Sequence, residues 1–263
     1  MGKIIMVASL KGGVGKTTVS ASLSYCLAKL GYKTVAVDMD FGVRSLDIAL
    51  GHENSASPSC FDVMTGKASL GLAVDSDERN GNLFFISAPM NVDITYDVDV
   101  TPKLFEKFLA DLKREYDFVV LDMAAGTGKL LDMARESGMI DHVFIVSTQN
   151  AASVRAAEKL GSTFASQEDE EVRLIINSFG PDRVGKDDYV SIMDVIDHSS
   201  VTLIGVIPFD KRVERLVSSG KTASEDKRSK AGVAVMNVAR RVTGEAVHLL
   251  EGIIPKNKRL KYY

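Results

Sequence analysis

Apolar runs of strand length recur along this chain, and stretches with helical spacing lie between them. The runs are IIMVAS (4–9), TVAVD (34–38), LFFIS (83–87), FVVLD (118–122), VFIVS (143–147), RLIIN (173–177) and LIGVI (203–207). Most are continuously apolar. A strand with one wet face alternates, whereas a strand covered on both faces need not, so these runs suit the interior of a parallel sheet. Between them, LFEKFLADL (104–112) sets Leu104, Phe105, Phe108, Leu109 and Leu112 on one side of a helix. Pro102 fits the first turn of that helix and Thr101 its cap. Val19, Leu23, Cys26, Leu27 and Leu30 form a second helical stripe. The alternation predicts an α/β fold: a doubly wound, mostly parallel sheet of seven to eight strands with helices on both faces.

Near the end of the chain, Val247, Leu250 and Ile254 fall at helical spacing and predict a last, core-packed helix that Pro255 terminates. Beyond it, KNKRLKYY (256–263) is a short basic tail. With no repeat, low-complexity stretch or linker, the expectation is one domain over 1–255 followed by that tail.

Composition removes several function classes. The 263 residues are 45% hydrophobic and carry a net charge of -3, so there is no overall basic field to attract nucleic acid, and no specific nucleic-acid partner is expected. No run of 18 apolar residues and no secretory leader pattern is present, which reads as a cytoplasmic protein. The two cysteines, Cys26 and Cys60, have no C-x-x-C neighbour, and the four histidines are scattered, so a disulfide framework or a thiolate or imidazole metal site is not expected.

The candidate chemistry lies directly after the first run, in SLKGGVGKTT (9–18). The strict phosphate-loop pattern is G-x-x-x-x-G-K-[ST]. Gly15, Lys16 and Thr17 satisfy its second half, but Leu10 stands where the leading glycine belongs, and a second lysine, Lys11, precedes Gly12 and Gly13. The loop Lys11, Gly12, Gly13, Val14, Gly15, Lys16, Thr17, Thr18 joins a strand to a helix. There, backbone N–H groups and the helix dipole converge on phosphate oxygens. Lys16 can reach the outer phosphates, and the Thr17 hydroxyl can join the shell of Mg²⁺. Two later matches, Gly128-Lys129-Leu130 and Gly220-Lys221-Thr222, lack the hydroxyl or the preceding strand. Asp38, Asp40 and Asp122 end two of the strand runs. Ligands in an open parallel sheet sit at those carboxyl ends. Asp38 and Asp122 are therefore candidates to hold Mg²⁺, partly through water, and Asp40 to order an attacking water.

KGGVGKTT with Lys11, followed by VDMDFGVRSLDIALG (37–51), resembles the MinD branch of the MinD/ParA family of deviant P-loop ATPases. The resemblance implies an ATPase that dimerises with ATP, in which Lys11 crosses the interface to the partner's phosphates, so that Lys11, Lys16 and Asp40 are catalytic. It implies spatial positioning of partner proteins, as in septum placement at cell division, with partners of the MinC or MinE kind. It also places adenine contacts at Asn177, Pro208, Phe209 and Asp210, aligns Arg44 and Asp47 with the first switch segment, and gives the tail 256–263 a reversible role on an anionic membrane surface. Three departures sit near the γ-phosphate: Met123-Ala124-Ala125 after Asp122, Thr148-Gln149-Asn150 in place of Asn-Pro-Glu, and Gly128 near the position of a frequent glutamate. They bear on hydrolysis rate and dimer geometry. The alternatives are a flagellar-number regulator of the same type and a nucleotide-switched scaffold with little turnover. An iron–sulfur carrier of this fold would need cysteine pairs that are absent.

Overall fold

The computed structural model describes residues 2–53, 55–90, 99–164 and 171–254. Eight strands form one sheet: β1 (Lys3–Ala8), β2 (Thr34–Met39), β3 (Asp75–Ser76), β4 (Leu83–Ile86), β5 (Phe118–Met123), β6 (His142–Ser147), β7 (Glu171–Phe179) and β8 (Leu203–Pro208). Their order is β3-β4-β2-β5-β1-β6-β7-β8. Every pairing is parallel except β3 with β4. All six residues of β2, β5 and β6 are buried, which accounts for their continuous apolar character. The seven predicted runs are all strands, with ends shifted by a few residues. β3 is an addition: two residues, neither of them apolar, recognisable only by their pairing with β4.

The chain leaves β1 toward one edge of the sheet and leaves β5 toward the other. Right-handed crossovers in opposite directions put their helices on opposite faces. On one face, α1 (Lys16–Lys29) packs against α2 (Leu46–Leu50) and α10 (Lys230–Val242). On the other lie α5 (Pro102–Glu115), α6 (Lys129–Glu136), α7 (Ala151–Phe164) and α8 (Ile192–Ser199). The short helices α3 (Cys60–Met64), α4 (Leu70–Ala73) and α9 (Arg212–Val217) complete the set among the described residues. α1 is buried on nearly every side, so its surface carries small residues and serines rather than a charged stripe. Cys26 is buried there as expected, its thiol donating to Ser224 Oγ at 3.0 Å. Thr101 caps α5, accepting the Leu104 N–H at 3.4 Å, and Pro102 begins the helix.

The predicted last helix does not form. Residues 245–254 run through loop and turns, with Leu250 at φ 62° and Gly252 at φ 69°. Of the predicted stripe, Val247 and Leu250 are nevertheless buried, whereas Ile254 is half-buried and its neighbour Ile253 takes the buried place. The carbonyls that a helix would satisfy internally are satisfied by side chains of α10 instead. Arg241 donates to Val247 O and His248 O at 2.8 and 2.7 Å, and Asn237 donates to Glu251 O at 2.7 Å. Pro255 and the basic tail 256–263 lie outside the described residues.

Candidate nucleotide site

The register of the central strands brings three carboxyl ends level. Asp122 is paired with Asp38 across β5 and β2, and with Val7 across β5 and β1. The loop between β1 and α1 leaves from that level. Gly13 (φ 75°) and Gly15 (φ 86°) adopt left-handed backbone there, which a side chain would strain. Gly15 also precedes the helix without any side-chain cap, so the first N–H groups of α1 remain for a ligand. The loop is held from two sides. Gly126 N–H donates to Ser9 O at 2.9 Å, and the Asn177 amide, from the end of β7, donates to Val14 O at 2.8 Å.

The two lysines differ sharply. Lys16 is buried, and its ammonium donates to Asp122 Oδ1 at 3.1 Å. Ser20, one turn further along α1, donates to the same oxygen at 2.8 Å. Lys11 is exposed and, among the described residues, reaches only Asn150 Oδ1, at 3.3 Å. Thr17 stands within hydrogen-bond distance of Ser45 Oγ, at 3.2 Å. Asp38 is fully buried and takes the backbone N–H groups of Asp40 (2.9 Å), Ser45 (3.1 Å) and Leu46 (3.0 Å), so it fixes the start of α2. Burial, and then the charge of Asp122, push its carboxyl up to about 7. After Met39 the chain turns: Asp40 Oδ1 accepts from Gly42 and Val43 N–H, both at 3.2 Å, and the residue stays half-buried. It lines a cavity of about 230 Å³ with Gly42, Met123, Gly126, Gly128 and Lys129.

These residues fit Mg²⁺. The donor set of Thr17, Asp38 and Asp122 is all oxygen, as a hard cation requires. Asp122 Oδ2 is buried with no hydrogen-bond partner. Two buried carboxylates face one buried ammonium, an excess of negative charge that a proton on Asp38 or a bound cation would remove.

On the other side of α1, a cavity of about 610 Å³ is lined by Thr18, Asn177, Pro208, Phe209 and Asp210 among others. All the expected base contacts therefore meet in one place. The Asp210 carboxylate, which lines this cavity, is also engaged within the protein. Oδ1 accepts from Arg212 N–H at 3.0 Å, and Oδ2 accepts from Ser229 Oγ (2.9 Å) and Lys230 N–H (3.0 Å) at the start of α10. Arg44 pairs with Asp47 at 2.7 Å in the first switch segment.

Sequence reading left Ser20 and Ser45 unmentioned, and named Gln149 and Asn150 only as a departure from the family pattern, without their contacts. Ser20 was findable, four residues after Lys16 on the same helix face. Gln149 was not. It is buried, and its side-chain oxygen takes Gly180 N–H at 2.5 Å, a contact 31 positions away with no local signal.

Residues 5–223 match the family described as the CobQ/CobB/MinD/ParA nucleotide binding domain. The chain is 32% identical over 251 residues to the septum site-determining protein MinD of Bacillus subtilis, covering 95% of this chain and 92% of that one. It is 34% identical over 257 residues to MinD of Escherichia coli K12, covering 93% and 92%. Among solved structures, the MinC:MinD cell division complex of Aquifex aeolicus superposes with a TM-score of 0.84 at 28% identity, over 94% of this chain and 98% of that one. MinD of Pyrococcus horikoshii, complexed with Mg-ADP, superposes at 0.80 with 28% identity, over 97% and 100%. With a phosphate loop of this geometry and relatives matched along almost its whole length, the chain belongs to the CobQ/CobB/MinD/ParA nucleotide-binding family, on its MinD branch.

Proposed function

We propose that this protein is an Mg²⁺-dependent ATPase of the septum-placing type, which pairs with a second copy when ATP is bound and so presents a surface to a protein partner. The contrast between its lysines carries the reading. Lys16 is sunk against Asp122 beside the loop, where a fixed charge holds phosphate oxygens in every nucleotide state. Lys11 stands at the surface on a neutral amide, free to leave it. A cation that reaches the transferring phosphoryl group only on pairing would couple hydrolysis to assembly.

Within the site, Thr17, Asp38 and Asp122 would hold Mg²⁺, which supplies charge neutralisation between the outer phosphates. Asp40 Oδ1 is fixed by two backbone N–H groups, and the side chain faces the 230 Å³ cavity, where it would orient water. A MinC-like partner is supported by the Aquifex aeolicus MinC:MinD complex. A MinE-like partner that stimulates slow turnover, and a location in the cytoplasm with reversible membrane association, belong to the same proposal. About 1 kcal/mol per basic residue near an anionic surface makes one tail of four such residues marginal and two on a dimer sufficient. A scaffold with little turnover is the second reading, favoured by Gly128 near the position of a frequent glutamate.

Light scattering tests the switch. The Asp40→Ala variant should be monomeric with ADP and dimeric with saturating ATP, and adding Lys11→Ala should abolish the dimer. A monomer under both conditions would overturn the trans-lysine role. Phosphate release separates the two readings, since a scaffold would show no turnover that Lys11→Ala could remove. Liposome co-sedimentation that is unchanged when 256–263 is deleted would remove the membrane role.

A further inference from the structure

Phe209, on the wall of the base cavity, has a cation beside it. Its backbone is pinned, since Phe209 N–H donates to Phe179 O at the end of β7 at 2.8 Å. The residue is 49% exposed, although a phenylalanine normally finds cover. The ring lines the 610 Å³ cavity. The guanidinium carbon of Arg183 lies 4.9 Å from the centre of the same ring and 5.6 Å from the ring of Tyr189. Neither Arg183 nor Tyr189 is among the residues that line the cavity.

Arg183 forms no ion pair among the described residues, and nearby Asp210 is already taken by Arg212, Ser229 and Lys230. Arg183 is not otherwise idle. Its side chain folds back over Gly180, where an added Cβ would meet it at 3.2 Å. Gly180 in turn is held by Gln149. The side chain thus runs along a tight turn, and its guanidinium lies over two aromatic rings. A guanidinium beside an aromatic ring is attracted by the ring quadrupole and restrains the ring. A restrained ring at the lip of a cavity offers a flat surface to another π-system, and a purine covers more of it than a pyrimidine.

We propose that Arg183 is a positioning residue for the nucleobase: it steadies the Phe209 ring at the cavity mouth, so that Phe209 stacks on the base and the site takes purine over pyrimidine nucleotides. This rests on the nucleotide site proposed above. It adds a residue that acts on the base through Phe209.

The test compares ATP, CTP and tripolyphosphate, each with Mg²⁺, by calorimetry on the full chain. The wild type should bind ATP roughly tenfold more tightly than CTP. Phe209→Ala should weaken ATP roughly tenfold and leave tripolyphosphate unchanged. Arg183→Ala should weaken ATP about threefold with tripolyphosphate unchanged, and Arg183→Lys should restore most of that loss. The double variant should bind ATP no worse than Phe209→Ala alone, because the arginine acts through the ring. Both side chains reach the surface, and unchanged melting temperatures would show that the fold is intact. If Arg183→Ala leaves ATP affinity untouched, weakens tripolyphosphate as much as ATP, or adds its full factor in the Phe209→Ala background, the assignment of Arg183 is overturned while the nucleotide site stands. If the wild type binds neither ATP nor tripolyphosphate, the nucleotide site falls and this role with it.

Discussion

At the carboxyl ends of β1, β2 and β5 the site is made of buried charge: Lys16 against Asp122, Asp38 beside them, and Ser20 completing the cluster. At the ends of β7 and β8 the lining includes half-covered neutral groups, the Asn177 amide and Pro208, and the exposed Phe209, with the charged residues Asp210, Lys211 and Glu214 beside them. The first arrangement is stiff, because moving any member strands a charge in the core. The second is soft, because each member loses little by moving. Phosphate oxygens need fixed charges at fixed places, whereas a base needs a surface and a few polar contacts. The comparison teaches where to expect large and small mutational effects, and it can be attacked from both ends.

The largest effect should come from Lys16→Ala. It removes charge-assisted contacts to phosphate and should weaken ADP binding roughly 100-fold. It also leaves Asp122 buried and unpaired, which should cost about 3 kcal/mol of stability without nucleotide. Lys11→Ala should leave stability unchanged and ADP affinity within about twofold, since its only described partner is a surface amide. Calorimetry and urea denaturation read both variants. Equal losses of ADP affinity would make Lys11 an ordinary ligand within one subunit and erase the contrast between the lysines.

Next comes pH. Asp38 is raised from 3.8 to about 7 in the folded protein, so between those values the folded state keeps a proton that the unfolded chain has lost. Stability contributed by this group therefore falls as pH rises through that window, by at most about 1.4 kcal/mol per pH unit, and is level above it. Asp77, Asp111, Asp194 and Asp210 are shifted the other way and obscure the raw profile at its acid end. The difference between Asp38→Asn and wild type isolates the effect: the variant should gain relative stability from pH 5 to 7 and none beyond. Parallel curves would mean that the buried cluster is not short of positive charge. Binding of Mg-ADP at pH 6 should also release close to one proton, which calorimetry in buffers of different ionisation enthalpy measures.

The stiff half was largely legible in the sequence and the soft half was not, for a physical reason. A glycine-rich turn between a strand and a helix needs particular residues at consecutive positions, so Gly13, Gly15, Lys16 and Thr17 could be read directly. β2, β5 and β6 were legible because strands covered on both faces must be apolar throughout. β3 was not, being two residues defined by a neighbour. The end of the chain misled because Val247 and Leu250 report burial, and burial is shared by a helix and by turns whose carbonyls Arg241 and Asn237 satisfy. At the base end, resemblance gave the positions but not the bonding, as Asp210 shows. Gln149, Asn150 and Arg183 make contacts between segments far apart in the chain, and no local pattern announces them.

The two halves meet at Gly15. An added Cβ there would lie 2.2 Å from Asn177 Nδ2, and its φ of 86° disfavours any side chain. Gly15→Ala should cost about 2 kcal/mol of stability and push the Asn177 amide off Val14 O, disturbing phosphate and base ends together. Asn177→Ala should cost about 1 kcal/mol and weaken ATP while leaving tripolyphosphate nearly unchanged. If both variants weaken the two ligands to the same degree, the division into a stiff and a soft half is artificial.

The smallest effect tests the softest assignment. Asp210 sits in the base cavity, yet its oxygens serve Arg212 N–H, Ser229 Oγ and Lys230 N–H. Ser229 itself caps α10 by accepting Gly232 N–H at 3.1 Å, so Asp210 holds the cap that holds the helix. α10 packs on α1, the helix that begins at the phosphate loop. Asp210→Asn keeps one acceptor and the shape, and should cost less than Asp210→Ala, which should lose about 1 kcal/mol. In both variants ADP affinity should change by less than about threefold, because the carboxylate already serves three donors of the protein. Loss of ADP affinity in Asp210→Asn with stability intact would return the residue to the base contacts, and would mean that the carboxylate leaves α10 when nucleotide arrives.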